Sequence, residues 1–426
     1  MTICEVHAHG PHGESAAEAG EFRVEEGTRR LLNRIAVAFA IVTTALLVVV
    51  RPTGGERPDL TEAGFGGYFY DARVVALEEV RCPGEGAADI RCAEATFELL
   101  GGPDEGERVR QQLFDLDSMV ELSVGDVVVL RHDPRSPGEF AYQFTGDRQR
   151  RPTLVLLAAV FALAVVLLGR VRGLASLVGL GVSLGVLVWF VLPAIIDGRS
   201  PVLVAVAGSA VIAYVTLYLA HGFGPMTTVA LLGTLASLFL TLVLGVFFVD
   251  RAAFSGLSSE DSFYLQVGGA EIDFKGLILA GVVIGALGAI DDMTVTQASA
   301  VWQLHAANPR LGRLGLWRAG MRIGRDHVAS TVNTLALAYA GASLPLLLLF
   351  VLSRQPLGVV LNTEIVAVEV VRTLVGSVGL VAAVPLTTWL AAEVAVRSET
   401  AAERRARRRS RRSRSTGEGL PAEDGV

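Results

Sequence analysis

Cysteine is scarce in this chain, with three residues among 426. Cys4 stands alone near the N-terminus, while Cys82 and Cys92 share the segment RCPGEGAADIRC. That spacing does not support a CxxC-type zinc or redox site. If the segment faces an oxidising compartment, a Cys82–Cys92 disulfide closing a short loop is expected; if not, two free thiols. The phosphate-loop pattern G-x-x-x-x-G-K-[ST] is also missing, which argues against ATP-driven transport by this chain alone. The polar segment from Arg51 to Arg151 lacks any set of nucleophile, base and metal ligands. No catalytic residue, metal or cofactor is therefore expected, and the chain does not read as an enzyme. Nucleic-acid binding has no support beyond one arginine run near the C-terminus.

Apolar residues are what the chain has in abundance. Hydrophobic residues make up 51% of it, and the mean hydropathy is +0.49. A soluble enzyme of this length has no need of so many long apolar runs. The runs fall at 35–50, 153–169, 174–196, 202–220, 226–249, 276–298, 328–352 and 370–392. A membrane span needs ~17–25 residues. The first run is short, but Arg34 and Arg51 flank it and can snorkel to the interfaces. The sequence VVVRPTGG after it has no small-x-small cleavage pattern, so an uncleaved signal anchor is expected.

The formal net charge of -6 averages unlike regions. Arginine placement is more telling. With the N-terminus inside, the inner flanks hold Arg23, Arg29, Arg30 and Arg34, then Arg170 and Arg172, then Arg310, Arg313, Arg318, Arg322 and Arg325. The tail ERRARRRSRRSRS joins them. The short outer loops hold only Arg199, Arg251, Lys275 and Arg354. This bias fits eight spans with both ends in the cytoplasm. Arg148, Arg150 and Arg151 dissent, but they follow a folded domain, where charge has less say.

These observations predict an all-α polytopic membrane bundle of about eight transmembrane helices. A disordered cytoplasmic N-terminus (1–34) leads to a signal anchor (35–50). A small β-rich extracytoplasmic domain, OB-like or barrel, follows at 51–151, between spans one and two. YFYDARVVALEEV, AEATFELL and DVVVLRHD supply its strands, punctuated by Gly, Pro and Asp. A seven-helix membrane domain (152–395) and a disordered Arg-rich cytoplasmic tail (396–426) complete the chain. The tail suits anionic lipid headgroups as partners. Cys4, His7, His9 and His12 could in principle hold a metal, but a disordered tail accounts for them more simply.

The most informative feature is a pair of acids, Asp291 and Asp292, inside an apolar run. An acid at bilayer depth costs ~2.5–3.5 kcal/mol on insertion scales and points to a site. Gly281, Gly285, Gly288, Asp292, Thr296 and Ser299 recur at helical spacing and share one face. Asp291 is turned ~100° away, toward Gly288 and Thr294. Asp292 lies roughly 24 Å beyond Gly276, in the inner half of the membrane. The next span begins with GRDHVASTVNTLALAYAG, where Asp326, Ser330 and Asn333 share a face and His327 and Thr334 flank it. If the two spans are neighbours, Asp292 can meet the Ser330–Asn333 face, with Arg322 or Arg325 as counter-charge.

Three readings follow. The first is an ion- or proton-coupled pathway through Asp292, Asp291, Thr296, Ser299, Ser330, Asn333, Thr334 and Asp326. The second is structural glue, with acids and arginines locking helices together. The third, intramembrane hydrolysis by two aspartates sharing a proton, has no supporting motif. Pathway residues suggest a permease for an ion or small solute, with Asp292 as the key titrating or cation-binding group, Asp291 as an auxiliary acid and Ser330, Asn333 and Thr334 as ligands or hydrogen-bond partners. The other class is a non-transporting scaffold or sensor whose external domain binds a partner. Elsewhere, His221 reads as a capping or loop residue, and Glu369 with Arg372 as an ion pair.

The stretches LAHGFGPMTTVALLGTLASL, GALGAIDDMTVTQASAVWQLHAANP and GMRIGRDHVASTVNTLALAYAGASLPLLLL, with SVGDVVVL and the arginines at 148–151, resemble the YibE/F family of bacterial multi-pass membrane proteins. The resemblance runs from about Tyr68 to Ala392. It implies an integral protein of the bacterial plasma membrane, without a settled activity, for which transport has been suggested. It matches the family's span-six aspartate to Asp292 and its span-seven motif to Gly324, Arg325, Asp326, Asn333 and Thr334. The second acid, Asp291, stands where an apolar residue is expected in many relatives. The N-terminal His-containing segment and the Arg-rich tail lie outside the resemblance.

Overall fold

The computed structural model describes residues 23–54, 67–82, 91–114, 121–136, 140–267 and 271–399. The His-containing segment, the Arg-rich tail and the Cys82–Cys92 loop interior lie outside the described residues. The chain is mostly helical and forms two compact units. One holds residues 57–174 and 264–270; the other holds the rest.

A pair of two-residue strands, β1 (Arg23–Val24) and β7 (Ser398–Glu399), joins the two ends of the described chain. Helix α1 (Glu26–Val49) follows β1 directly. It starts ahead of the apolar run because Glu26 suits a first turn and Leu32 and Ala36 are buried. After α1, the backbone amides of Thr53 and Gly54 donate to the Asp197 carboxylate.

The β unit is a five-stranded antiparallel sheet of β2 (Tyr68–Val80), β3 (Cys92–Leu99), β4 (Arg108–Leu113), β5 (Val127–His132) and β6 (Tyr142–Arg148). The spatial order is β4-β3-β2-β5-β6. Alternation along β3, buried at Ala95, Phe97 and Leu99, puts one face into a core shared with Val74, Val128 and Leu130. The sheet curls until its edges meet. Gln111 of β4 donates to the Tyr142 carbonyl, and its Oε1 accepts the Phe144 amide at 2.8 Å on β6. Among the described residues, the two edges are joined through this side chain rather than by a backbone ladder. Tyr142 donates to Asp104 at 2.7 Å, and burial together with that carboxylate holds its phenol above the ordinary value. Cys82 and Cys92 form a disulfide at the loop end of the β2–β3 hairpin, with a Cα separation of 5.3 Å.

Helix α2 (Arg151–Val186) is broken at Arg170, where φ is 51° and ψ is -127°. A Cβ on Gly173 would collide with the Val165 carbonyl oxygen. In a straight helix those residues lie ~12 Å apart, so the chain turns sharply here. A π-helical turn (Leu187–Val191) leads into α3 (Leu192–Ile196). Pro193, which has no amide to donate, disturbs the regular ladder at this point.

The helical unit is built around α4 (Pro201–His221), α5 (Pro225–Arg251) and, after the short α6 (Glu260–Val267), α7 (Phe274–Ala307). It continues through α8 (Arg313–Ala342), α9 (Leu344–Leu352), α10 (Leu357–Asn362) and α11 (Glu364–Val396). Prolines open α4 and α5, where a missing amide costs nothing. Asp273 caps α7 by accepting the Gly276 amide at 2.9 Å. Helices α8 and α9 meet at a 64° bend ahead of Pro345.

Helices α5, α7 and α11 pack closely, with α4 and α8 flanking α7. One end of the bundle gathers Leu32 of α1, Val229 of α5, Trp302 of α7, Leu316 of α8 and Val394 of α11. The other end gathers Val249, Phe254, Ile278 and Val368. Successive helices therefore alternate in direction. Six helices, or seven with the bent α8–α9 pair, are long and apolar enough to cross a membrane among the described residues. The outward-facing side chains of these helices are largely leucine, valine and phenylalanine, which suits a lipid bilayer.

Candidate functional site

The centre of the bundle is held together by hydroxyls. Thr234, Ser237 and Thr241 of α5, Thr294 and Gln297 of α7, and Thr387 and Thr388 of α11 are at most 1% exposed. Glycine makes their packing possible. A Cβ on Gly233 would overlap the Thr387 hydroxyl, and one on Gly324 would overlap Val384 and lie 3.0 Å from Gln297 Oε1. Gln297 Nε2 donates to the Gly320 carbonyl at 2.7 Å and to Thr388 Oγ1 at 2.8 Å, joining α7 to α8 and α11. Ser237 Oγ, Thr387 Oγ1 and Gln297 Oε1 are buried with no hydrogen-bond partner among the described residues.

Helix α7 extends to Ala307, past the apolar run, so both aspartates stand midway along it. Asp291 is half-buried and looks toward α4 and α5. Its Oδ2 is 3.5 Å from Thr216 Oγ1 and its Oδ1 is 3.5 Å from Thr234 Oγ1. Thr234 and Thr294 hydroxyls bond to each other at 2.7 Å. One carboxylate and three hydroxyls from three helices thus meet inside an apolar bundle.

Asp292 has a different setting. Its side chain is 70% exposed, and His327 Nε2 of α8 lies 4.0 Å from its Oδ2. The small-residue stripe above it faces the same way, with Gly281 against the Arg372 guanidinium and Gly285 against the Tyr339 hydroxyl. Arg372 bonds Glu369 at 2.7 Å.

The remaining sequence candidates are spread out. Thr296 and Ser299 are half-buried on α7, and Ser299 accepts from Gln303 at 3.1 Å. Asp326, Ser330, Asn333 and Thr334 are exposed on α8. Thr334 donates to the Ser330 carbonyl at 3.0 Å. Arg322 and Arg325 are also exposed and make no ion pair among the described residues. The side of α8 that packs inward carries Gly320, Gly324 and, partly buried, His327. His221 ends α4 and is exposed.

A family model described as YibE/F-like protein matches residues 157–397. The chain belongs to the YibE/F-like family. The match spans most of α2 and all of α3 to α11, and so contains Asp291 and every residue around it. The β unit, which ends its last strand at Arg148, lies outside the match. No curated protein and no solved structure matches the chain.

Two residues at the centre of this YibE/F-like site, Thr216 and Thr234, escape a reading of the sequence. A lone threonine in an apolar run is a common helix filler that bonds its own backbone, as Thr216 does to Ile212 O at 2.8 Å. Thr227, Thr234 and Thr241 do recur every seven residues along α5, with Ser237 on the same side. That recurrence is a visible sign of a polar, inward face.

Proposed function

We propose that this protein is a permease-like transporter that moves an ion or small solute through the bundle, with Asp291 as its central acid. The observation that carries the reading is Asp291 facing the hydroxyls of Thr216, Thr234 and Thr294 in the middle of an apolar bundle. Acids at membrane depth are costly and persist where an ion or proton path needs them. The reading calls for no chemical step, and hence no enzyme activity. Asp292, with His327 beside it, is the second acid along the path, and the exposed polar face of α8, with Ser330, Asn333 and Thr334, leads to it.

The same proposal places the protein in a bacterial plasma membrane with eight spans. A 46-residue helical stretch, Arg151–Ile196, is ~69 Å long if straight, twice the thickness of a bilayer core. The break at Arg170 supports counting it as two spans. The β1–β7 pairing supports an even number, since it holds the start of α1 and the end of α11 at one face. Arginine bias makes that face cytoplasmic. The sheet unit then lies outside, where its disulfide would persist.

Proteoliposomes test the central claim. Ion and solute flux across the reconstituted protein should fall strongly in Asp291→Asn. Unchanged flux in a folded Asp291→Asn protein would sink it.

One observation favours a second reading, a membrane sensor or scaffold whose sheet domain binds a partner. Tyr68, Phe69 and Phe114 are more than half exposed on that unit. Removing 57–148 separates the two: a transporter core should keep some flux, whereas a sensor should lose its response.

A further inference from the structure

The hydroxyl protons around Asp291 can be counted. Thr216 has one, and the Ile212 carbonyl at 2.8 Å takes it in preference to Asp291 Oδ2 at 3.5 Å. Thr294 has one, and the main-chain carbonyl of Asp291 takes it at 3.0 Å. Thr234 then donates to Thr294 Oγ1 at 2.7 Å rather than to Asp291 Oδ1 at 3.5 Å. Each hydroxyl proton thus has a nearer acceptor, and the carboxylate is left with two contacts of 3.5 Å, longer than the ~2.5–3.0 Å of an O–H···O bond. No arginine, lysine or histidine pairs with Asp291 among the described residues. The neighbouring charge is Asp292, of like sign. A half-buried carboxylate held by two long hydroxyl contacts lacks a positive partner.

We propose that Asp291 Oδ1 and Oδ2, with Thr216 Oγ1 and Thr234 Oγ1, form a binding site for one sodium-sized monovalent cation. The proposal rests on the transport reading for its purpose and on the geometry for its existence. Distance selects the size. Calcium, whose radius sodium nearly shares, binds oxygen at ~2.3–2.6 Å, which puts ligands at right angles ~3.3–3.7 Å apart. The carboxylate-to-hydroxyl distances are both 3.5 Å. A magnesium-sized ion, at ~2.0–2.1 Å, needs ligand oxygens only ~2.9 Å apart. Charge selects the valence. One carboxylate is in reach, since Asp292 turns toward α8, and hard divalent sites draw on more acidic ligands. A proton on Asp291 serves the cage poorly, because it would have to be donated across 3.5 Å, beyond the ~2.5–3.0 Å of an O–H···O bond.

The test is thermal unfolding of the purified full chain in nanodiscs, at constant ionic strength, with sodium, potassium or choline chloride. The unfolding midpoint should rise with the logarithm of sodium concentration and stay level with the other two salts. Asp291→Asn should flatten the sodium response. The pair Thr216→Val with Thr234→Val should weaken the apparent sodium affinity by about tenfold or more, whereas both threonines changed to serine should preserve it. The valine and serine pairs keep the test valid should Asp291→Asn fail to fold. Equal midpoints in all three salts, or a sodium response surviving in Asp291→Asn, would overturn the site. So would a midpoint that follows pH and ignores sodium. Sodium stabilisation lost in Asp291→Asn, in a protein that carries no flux, would leave the site standing and remove the transport reading. Flux that needs Asp291 but ignores sodium would do the reverse.

Discussion

The carboxyl groups of Asp291 and Asp292 belong to consecutive residues and to different neighbours. Asp291 meets Thr216 of α4 and Thr234 of α5, each at 3.5 Å. Asp292 approaches His327 of α8 at 4.0 Å. One turn of α7 thus presents acid to both of its flanks. Helix geometry alone separates consecutive side chains by ~100°, and the placing of α4, α5 and α8 gives that angle its meaning.

Gly233 lies against the hydroxyl of Thr387. Gly233→Ala should destabilise the bundle by about 1–3 kcal/mol through overpacking. Thr387→Ala in the same protein should recover much of the loss, because the two residues share one contact. Thermal unfolding of the purified chain measures both. A wild-type midpoint for Gly233→Ala would mean that α5 and α11 do not approach so closely.

Gln297 ties α7 to α8 and α11 through two donated bonds, while its Oε1 has no hydrogen-bond partner among the described residues. Gln297→Leu should therefore cost only about 1 kcal/mol, since losing the bonds is offset by removing the unpaired oxygen. A loss several times larger would show that Oε1 has a partner of its own, such as a buried water.

With Cys82 bonded to Cys92, Cys4 is the one cysteine of three outside the bridge. Labelling of the denatured, unreduced chain should count one thiol, and three after reduction. Replacing both bridged cysteines by serine should cost about 2–3 kcal/mol in the stability of the sheet unit. Three thiols before reduction would contradict the bridge.

Gln111 bridges the sheet edges β4 and β6, holding Tyr142 O and the Phe144 amide. Gln111→Leu should speed hydrogen exchange at the Phe144 amide by about tenfold, while amides of the central β2 keep their protection. Equal loss across the sheet would mean that the closure is global rather than local.

Much of the fold is legible along the chain. The apolar runs locate the long helices, because a segment in hydrocarbon must bond its own backbone and must be apolar along its length. Strand-like alternation around Phe97 and Val128 locates the sheet, since one face is buried. The phase of α7 separates Asp291 from Asp292 for the same local reason. Helix ends are less visible. Helix α7 runs on to Ala307 because His305 and Trp302 are buried at the end of the bundle, which composition does not reveal. The coordination of the candidate site is not legible at all. Thr216 and Thr234 are 75 and 57 residues from Asp291 along the chain. The exposed placement of Ser330, Asn333 and Thr334 is equally invisible, since a helical face can be drawn from spacing but not aimed.

The membrane character, the positions of the helices, the small sheet and the angle between the two aspartates are all written along the chain. All of these follow from short-range rules: backbone bonding, period and solvent preference. That α4 and α5 lie on the Asp291 side of α7, and α8 on the Asp292 side, is set by packing in three dimensions. That choice depends on which glycines let which helices approach, Gly233 and Gly324 among them. Close packing is a property of pairs of surfaces, and no single stretch of chain contains both.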